Sequence, residues 1–143
     1  MLPIHIDARE VYEFAHNAAE AERVLGRELT AASAAALAEG VGLAQEYAPI
    51  DTGALAGSIG IIDGPSAEGG SYGTSMVYAW MREEGGTIHG NPWLVFQTRD
   101  GRWVKVRSVT QSGTQYMERS AQALNPRLLA IYGAAVYRAL EVF

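Results

Sequence analysis

Cysteine is absent from the sequence, and lysine nearly so. Without cysteine there are no disulfides and no thiolate zinc sites, and nothing follows about redox compartment. Lys105 is the only lysine; the other ten of the eleven basic residues are arginines. Arginine suits planar, bidentate pairing with carboxylates at interfaces. It also follows from GC-rich coding, as does the abundant alanine. Positive charge is in short supply: sixteen acidic residues leave a net charge of −5, which argues against general affinity for nucleic acid. No apolar run reaches the length of a membrane span. The opening residues, Met1-Leu2-Pro3-Ile4-His5-Ile6-Asp7, lack the basic start and apolar stretch of a signal peptide, so synthesis in a cytoplasm is the expectation. The histidines His5, His16 and His89 have no neighbour at metal-ligand spacing. Gly69-Gly70 and Gly85-Gly86 lack the lysine and hydroxyl residue of a phosphate loop. No metal and no cofactor are expected.

What is present suits one domain spanning residues 1–143, with 48% hydrophobic and 19% charged residues. Asp7-Ala8-Arg9-Glu10 reads as a capping box opening a helix, with Val11, Phe14, Ala15 and Ala18 at helical spacing. Gly26 predicts a break or bend. A second, alanine-rich helix is expected from about Thr30 to Glu46, ended by Pro49. Ile59 to Ile62 reads as a strand, Gly64 to Gly70 as a turn or mobile loop, and Ser71 to Met76 as the returning strand. One or two helical turns from Val77 to Glu84 close at Gly85-Gly86. Trp93 to Gln97 and Trp103 to Arg107 are strands, joined by a two-residue turn at Asp100-Gly101. Thr114 to Leu124 is helical, and Asn125-Pro126 restarts a last helix as N-cap and first residue. The expected fold is α+β: N-terminal helices, a small antiparallel sheet with a Trp93–Val109 hairpin, and a C-terminal helix.

Two features invite a functional reading. The first is Ile50-Asp51-Thr52-Gly53-Ala54. Asp-Thr-Gly is the half-site of an aspartic protease, which needs a second carboxylate about 3 Å away and so a homodimer here. Yet such a loop follows a buried apolar strand, whereas Asp51 follows Pro49 at the end of an alanine-rich helix. Aspartate, threonine and glycine also serve simply to cap amides and relieve a turn. The second feature is basic. Arg99, Arg102, Lys105 and Arg107 cluster on the hairpin, and alternation puts Lys105 and Arg107 on the face of Trp103. Such a face binds nucleic acid or docks on an acidic neighbour. Glu83-Glu84, beside Arg82, is an acidic edge of the matching sign; adjacent glutamates serve as a solvated edge or an interface more readily than as a paired-carboxylate site.

The longer pattern Ala48-Pro49-Ile50-Asp51-Thr52-Gly53-Ala54-Leu55, Ser58-Ile59, Tyr78-Ala79 and Glu84-Gly85-Gly86-Thr87, with Gly101-Arg102-Trp103-Val104 and Tyr116-Met117-Glu118-Arg119-Ser120-Ala121 after it, resembles the neck, or head–tail joining, proteins of long-tailed bacteriophages. The family's pattern is departed from at Ala56, Glu84 and Gln115. The resemblance implies a non-enzymatic virion component, assembled in the host bacterial cytoplasm. Several copies would form a ring between head-side connectors and the tail terminator or tail tube, leaving a channel that DNA crosses without specific binding. Pro49, Asp51, Thr52, Gly53, Leu55, Tyr78, Gly85 and Gly86 would be its structural motif. Glu83, Glu84, Arg99, Arg102, Trp103, Lys105 and Arg107 are the candidate interface. Another minor tail or baseplate component is the nearest alternative reading.

Overall fold

The computed structural model describes residues 3–50, 53–76, 78–98, 100–141 and 143. Two long helices form its frame. Helix α1 is Arg9–Tyr47, and helix α4 is Tyr116–Leu140. Between them come α2 (Ala54–Ser58), the hairpin β1–β2 (Gly60–Ser66 and Gly69–Gly73), α3 (Ala79–Glu84), and the hairpin β3–β4 (Gly85–Gln97 and Trp103–Ser112). The class is α+β, with two separate two-stranded antiparallel sheets among the described residues rather than one.

Both breaks expected in the helices are absent. Gly26 lies inside α1, which runs unbroken for 39 residues. A lone glycine costs a helix about 1 kcal/mol relative to alanine, and the Thr30 hydroxyl donates to the Gly26 carbonyl at 2.8 Å. Pro126 likewise lies inside α4 rather than starting a new helix. What carries α4 past it is α1, packed alongside. Arg127 pairs with Glu39, the Tyr132 hydroxyl bonds Ser33 Oγ at 2.7 Å, and Arg138 pairs with Glu28 at 2.7 Å. Numbers rise along one helix as they fall along the other, so the pair is antiparallel. The buried residues of α1 are mostly small (Ala21, Ala32, Ser33, Ala36, Gly40, Ala44), which lets neighbouring backbones approach. Helix α1 ends where Ala48, preceding Pro49, turns extended at ψ 140°. At its other end the capping box is not formed. Ala8 is the N-cap, and the Asp7 carboxylate takes the amide of Arg9 at 3.0 Å and the Arg9 guanidinium.

The β1–β2 hairpin lies on α1. Of the turn or mobile loop expected from Gly64 to Gly70, the turn is Ala67-Glu68 and the rest is strand, paired through Ser66 and Gly69. Tyr72 crosses Gly40, where a Cβ would come 2.8 Å from Cζ of the ring, and its hydroxyl reaches Ser120 Oγ on α4 at 2.8 Å. The core gathers beside this point from Ala44, Ala48, Leu55, Ile59, Ala79 and Tyr116. Tyr116 is 1% exposed, and its hydroxyl donates to the Ala79 carbonyl at 3.3 Å. No helix among the described residues is long and apolar enough to cross a membrane.

Candidate functional site

The β3–β4 hairpin is longer than the sequence suggests and stands away from the core, with α3 as its main contact. Its turn is also wider than expected: the Thr98 amide donates to the Arg102 carbonyl at 2.8 Å and the Gly101 amide to the Thr98 carbonyl at 3.0 Å. Gly101 takes a φ of +86°, the left-handed residue that three-residue hairpin loops require. Between the pairs His89↔Ser108 and Leu94↔Val106 the register shifts, so that residues 90–93 of β3 face Arg107 alone on β4. Such a bulge bends a hairpin and re-aims the side chains beside it.

Here it places Trp93 under the cations. Lys105 Nζ lies 4.8 Å from the Trp93 ring centroid and the Arg107 guanidinium 5.2 Å. Pairing of Val95 with Lys105 and of Gln97 with Trp103 puts Trp93, Val95, Trp103, Lys105 and Arg107 on one face. Trp103 is 72% exposed there. The shared face of Trp103, Lys105 and Arg107 is therefore as expected, and Trp93 joins it. Stacking on an aromatic ring holds both cations in place without neutralising them. Arg102 is different, because its guanidinium pairs with Asp100 at 2.8 Å. The Thr98 hydroxyl and Arg102 hold the Asp100 carboxyl below the usual carboxylate range. Arg99 lies outside the described residues. The opposite face carries Leu94, Phe96, Val104 and Val106, which cover one another only in part.

The acidic edge is arranged otherwise. Glu83 does not stand free: its carboxylate accepts the backbone amides of Met117 at 2.8 Å and Glu118 at 3.0 Å. These are the second and third residues of α4, whose own N-cap, Gln115, supplies no side-chain cap. Glu83 thus caps a helix from 34 residues away in the chain. The same junction is stitched by the Thr114 amide to the Arg82 carbonyl at 2.9 Å and the Gln115 amide to the Glu83 carbonyl at 3.0 Å. Burial, and then the nearby Glu83 charge, push the Tyr116 phenol above its ordinary pKa. Glu84 remains exposed.

Of the motif residues, Leu55 is in the core and Pro49 follows the end of α1. Gly53 is the N-cap of α2 at φ +81°, Tyr78 is the N-cap of α3, and Gly85-Gly86 opens β3. Gly85 sits at φ +80°, where a Cβ would also come 2.7 Å from the Gln111 carbonyl oxygen. Asp51 and Thr52 lie outside the described residues. The elements on either side are helices, α1 ending at Tyr47 and α2 beginning at Ala54. An apolar groove of about 420 Å³ opens between Leu37, Gly70, Tyr72, Leu124, Leu128 and Tyr132. Its tyrosine hydroxyls are bonded to serines, Tyr132 to Ser33 and Tyr72 to Ser120. No metal-binding cluster occurs among the described residues.

Sequence reasoning missed Glu83 as a cap and Trp93 as the platform for Lys105 and Arg107. Neither has a local signal, since one depends on a partner 34 residues on and the other on a bulge.

Compared with known protein families, curated proteins and solved structures, the chain matches none.

Proposed function

We propose that this chain is a structural protein of a tailed-bacteriophage virion, one subunit of a neck ring that joins the DNA-filled head to the tail and leaves a channel for DNA. Its partners are further copies of itself, the head-side connector proteins and the tail terminator or tail tube. The observation that carries the reading is the β3–β4 hairpin. It presents Trp93, Val95, Phe96, Trp103, Lys105 and Arg107 outward while remaining fixed mainly at its base. A two-stranded hairpin is marginal alone in water. Aromatic and arginine side chains held outward on one are the material of a protein interface. The ordered resemblance from Ala48 to Ala121 supplies the particular assembly. Within the Glu83-Glu84 edge, Glu83 is already engaged with α4, and Glu84 is the more exposed of the two.

Removal of the chain tests the reading. A phage genome with a stop codon in this gene should yield DNA-filled heads and finished tails that stay separate, and the chain supplied in trans should join them. Joined, infectious particles without it would refute the assignment, as would a peptidase activity abolished by Asp51→Asn.

A further inference from the structure

The two ends of the helical frame carry opposite surfaces. Arg138 of α4 faces Glu28, and α4 stops at Leu140. The turns of α1 that precede Glu28 therefore extend past the end of α4. Residues 9–16 are exposed throughout, Tyr12 at 75% and Phe14 at 65%. Phe14 lies against Phe143, with ring centroids 5.7 Å apart and planes tilted by 38°. Val11, Phe14, Ala15 and Ala18 follow the spacing of a helix that buries one face, yet that face has little to lie against. Residues 7–22 hold five acidic residues and one basic, a net of −4. Residues 85–112, the hairpin, hold four basic and one acidic, a net of +3. Glu10 and Glu13 flank the apolar stripe as Lys105 and Arg107 flank the tryptophans.

The hairpin leaves the frame beside Tyr116, which packs with Ala44 and Ala48 at the far end of α1. At 1.5 Å per residue the 39 residues of α1 span about 58 Å. The base of the basic aromatic hairpin therefore lies at the end of α1 opposite to the acidic apolar tip. We propose that the β3–β4 hairpin of one copy docks on the α1 tip of another copy of this chain. Trp93 and Trp103 cover the Val11–Phe14 stripe, and Lys105 and Arg107 lie against Glu10 and Glu13. Such a contact joins unlike surfaces head to tail, the type that closes into a ring when the rotation fits. It deepens the neck-ring reading and rests on it for closure. Charge sets the orientation of the contact and apolar cover supplies most of its affinity.

Two charge reversals on the purified full chain test it, with mass measured by light scattering and folding checked by circular dichroism. Lys105→Glu with Arg107→Glu makes both surfaces acidic. Glu10→Lys with Glu13→Lys sets two lysines against the basic hairpin and takes residues 7–22 from a net of −4 to 0. Each variant alone should stay folded and self-associate on the order of tenfold to a hundredfold more weakly. Mixed together they should reassemble, because positions 105 and 107 of each hairpin then face positions 10 and 13 of opposite sign on the other variant. Reassembly cannot come from misfolded variants, so the mixture protects the test from that failure. A variant that assembles alone as tightly as the wild type, or a mixture no tighter than either variant alone, overturns the docking, as does a wild-type chain that never self-associates. Unchanged association with lost retention on single-stranded DNA would give the hairpin to nucleic acid instead and also overturn it. These results leave the neck reading to the gene-removal experiment, which does not depend on where the copies touch.

Discussion

Replacing Glu83 should loosen the start of α4 by an amount that its geometry allows to be worked out. Two amides of the first turn donate to one carboxylate, at 2.8 and 3.0 Å. Losing an N-cap acceptor costs about 0.5–2 kcal/mol. A negative charge at a helix N-terminus adds about 0.3–1 kcal/mol. Glu83 is only half-buried, so water can take over part of both terms in the variant. Glu118 also places a negative charge in the first turn of α4 and keeps some of the dipole interaction. The expected loss for Glu83→Ala is therefore about 1–2 kcal/mol, with Glu83→Gln in between because its amide oxygen still accepts one bond. Urea unfolding of the full chain measures this as a lower midpoint at unchanged slope. Backbone exchange of Met117 and Glu118 should speed up in step. The ordering wild type, Gln, Ala is the diagnostic. If both variants unfold at the wild-type midpoint, the carboxylate is not capping α4.

Two glycines of the same helix should respond in opposite directions. Gly26→Ala meets open space and should stabilise by about 0.5–1 kcal/mol, whereas Gly40→Ala drives a methyl into the Tyr72 ring and should destabilise by about 1–3 kcal/mol less that same helical gain; thermal unfolding of the pair reads both signs at once. For Tyr116 the raised pKa means that the folded state holds the phenolic proton more tightly than the unfolded chain. Its contribution is complete below the ordinary value of 10.0 and is lost as pH rises above that value and through the folded one, so stability should fall across this window and Tyr116→Phe should flatten that part of the profile. An unchanged profile in Tyr116→Phe would assign the alkaline loss to other groups.

Much of the fold is legible in the order of residues. Alternation from Trp93 to Gln97 and from Trp103 to Arg107 marks strands, because side chains on a strand alternate between two faces and a half-covered hairpin preserves that pattern. Pro49 ends α1 and Gly85 closes α3 for reasons contained in their own backbones: proline restricts the residue before it, and glycine accepts a positive φ. The basic aromatic face could be read for the same reason, since Trp103, Lys105 and Arg107 are two residues apart.

What the sequence could not settle involves competition between local preference and distant packing. Gly26 and Pro126 both signal an interruption, yet each signal amounts to a few kcal/mol at most. The two helices lie against each other from Glu28–Arg138 to Glu39–Arg127, and that packing outweighs the local cost. Gly64 to Gly70 looks mobile by composition, yet it pairs as a hairpin on α1. Glu83 looks like surface charge until α4 brings its bare amides to it. The sequence by itself determined the element types, the hairpin and the sign of its charge, because these depend on neighbours in the chain. The tertiary structure decided helix continuity, the cap on α4 and the platform under Lys105 and Arg107, because these depend on residues that only folding brings together.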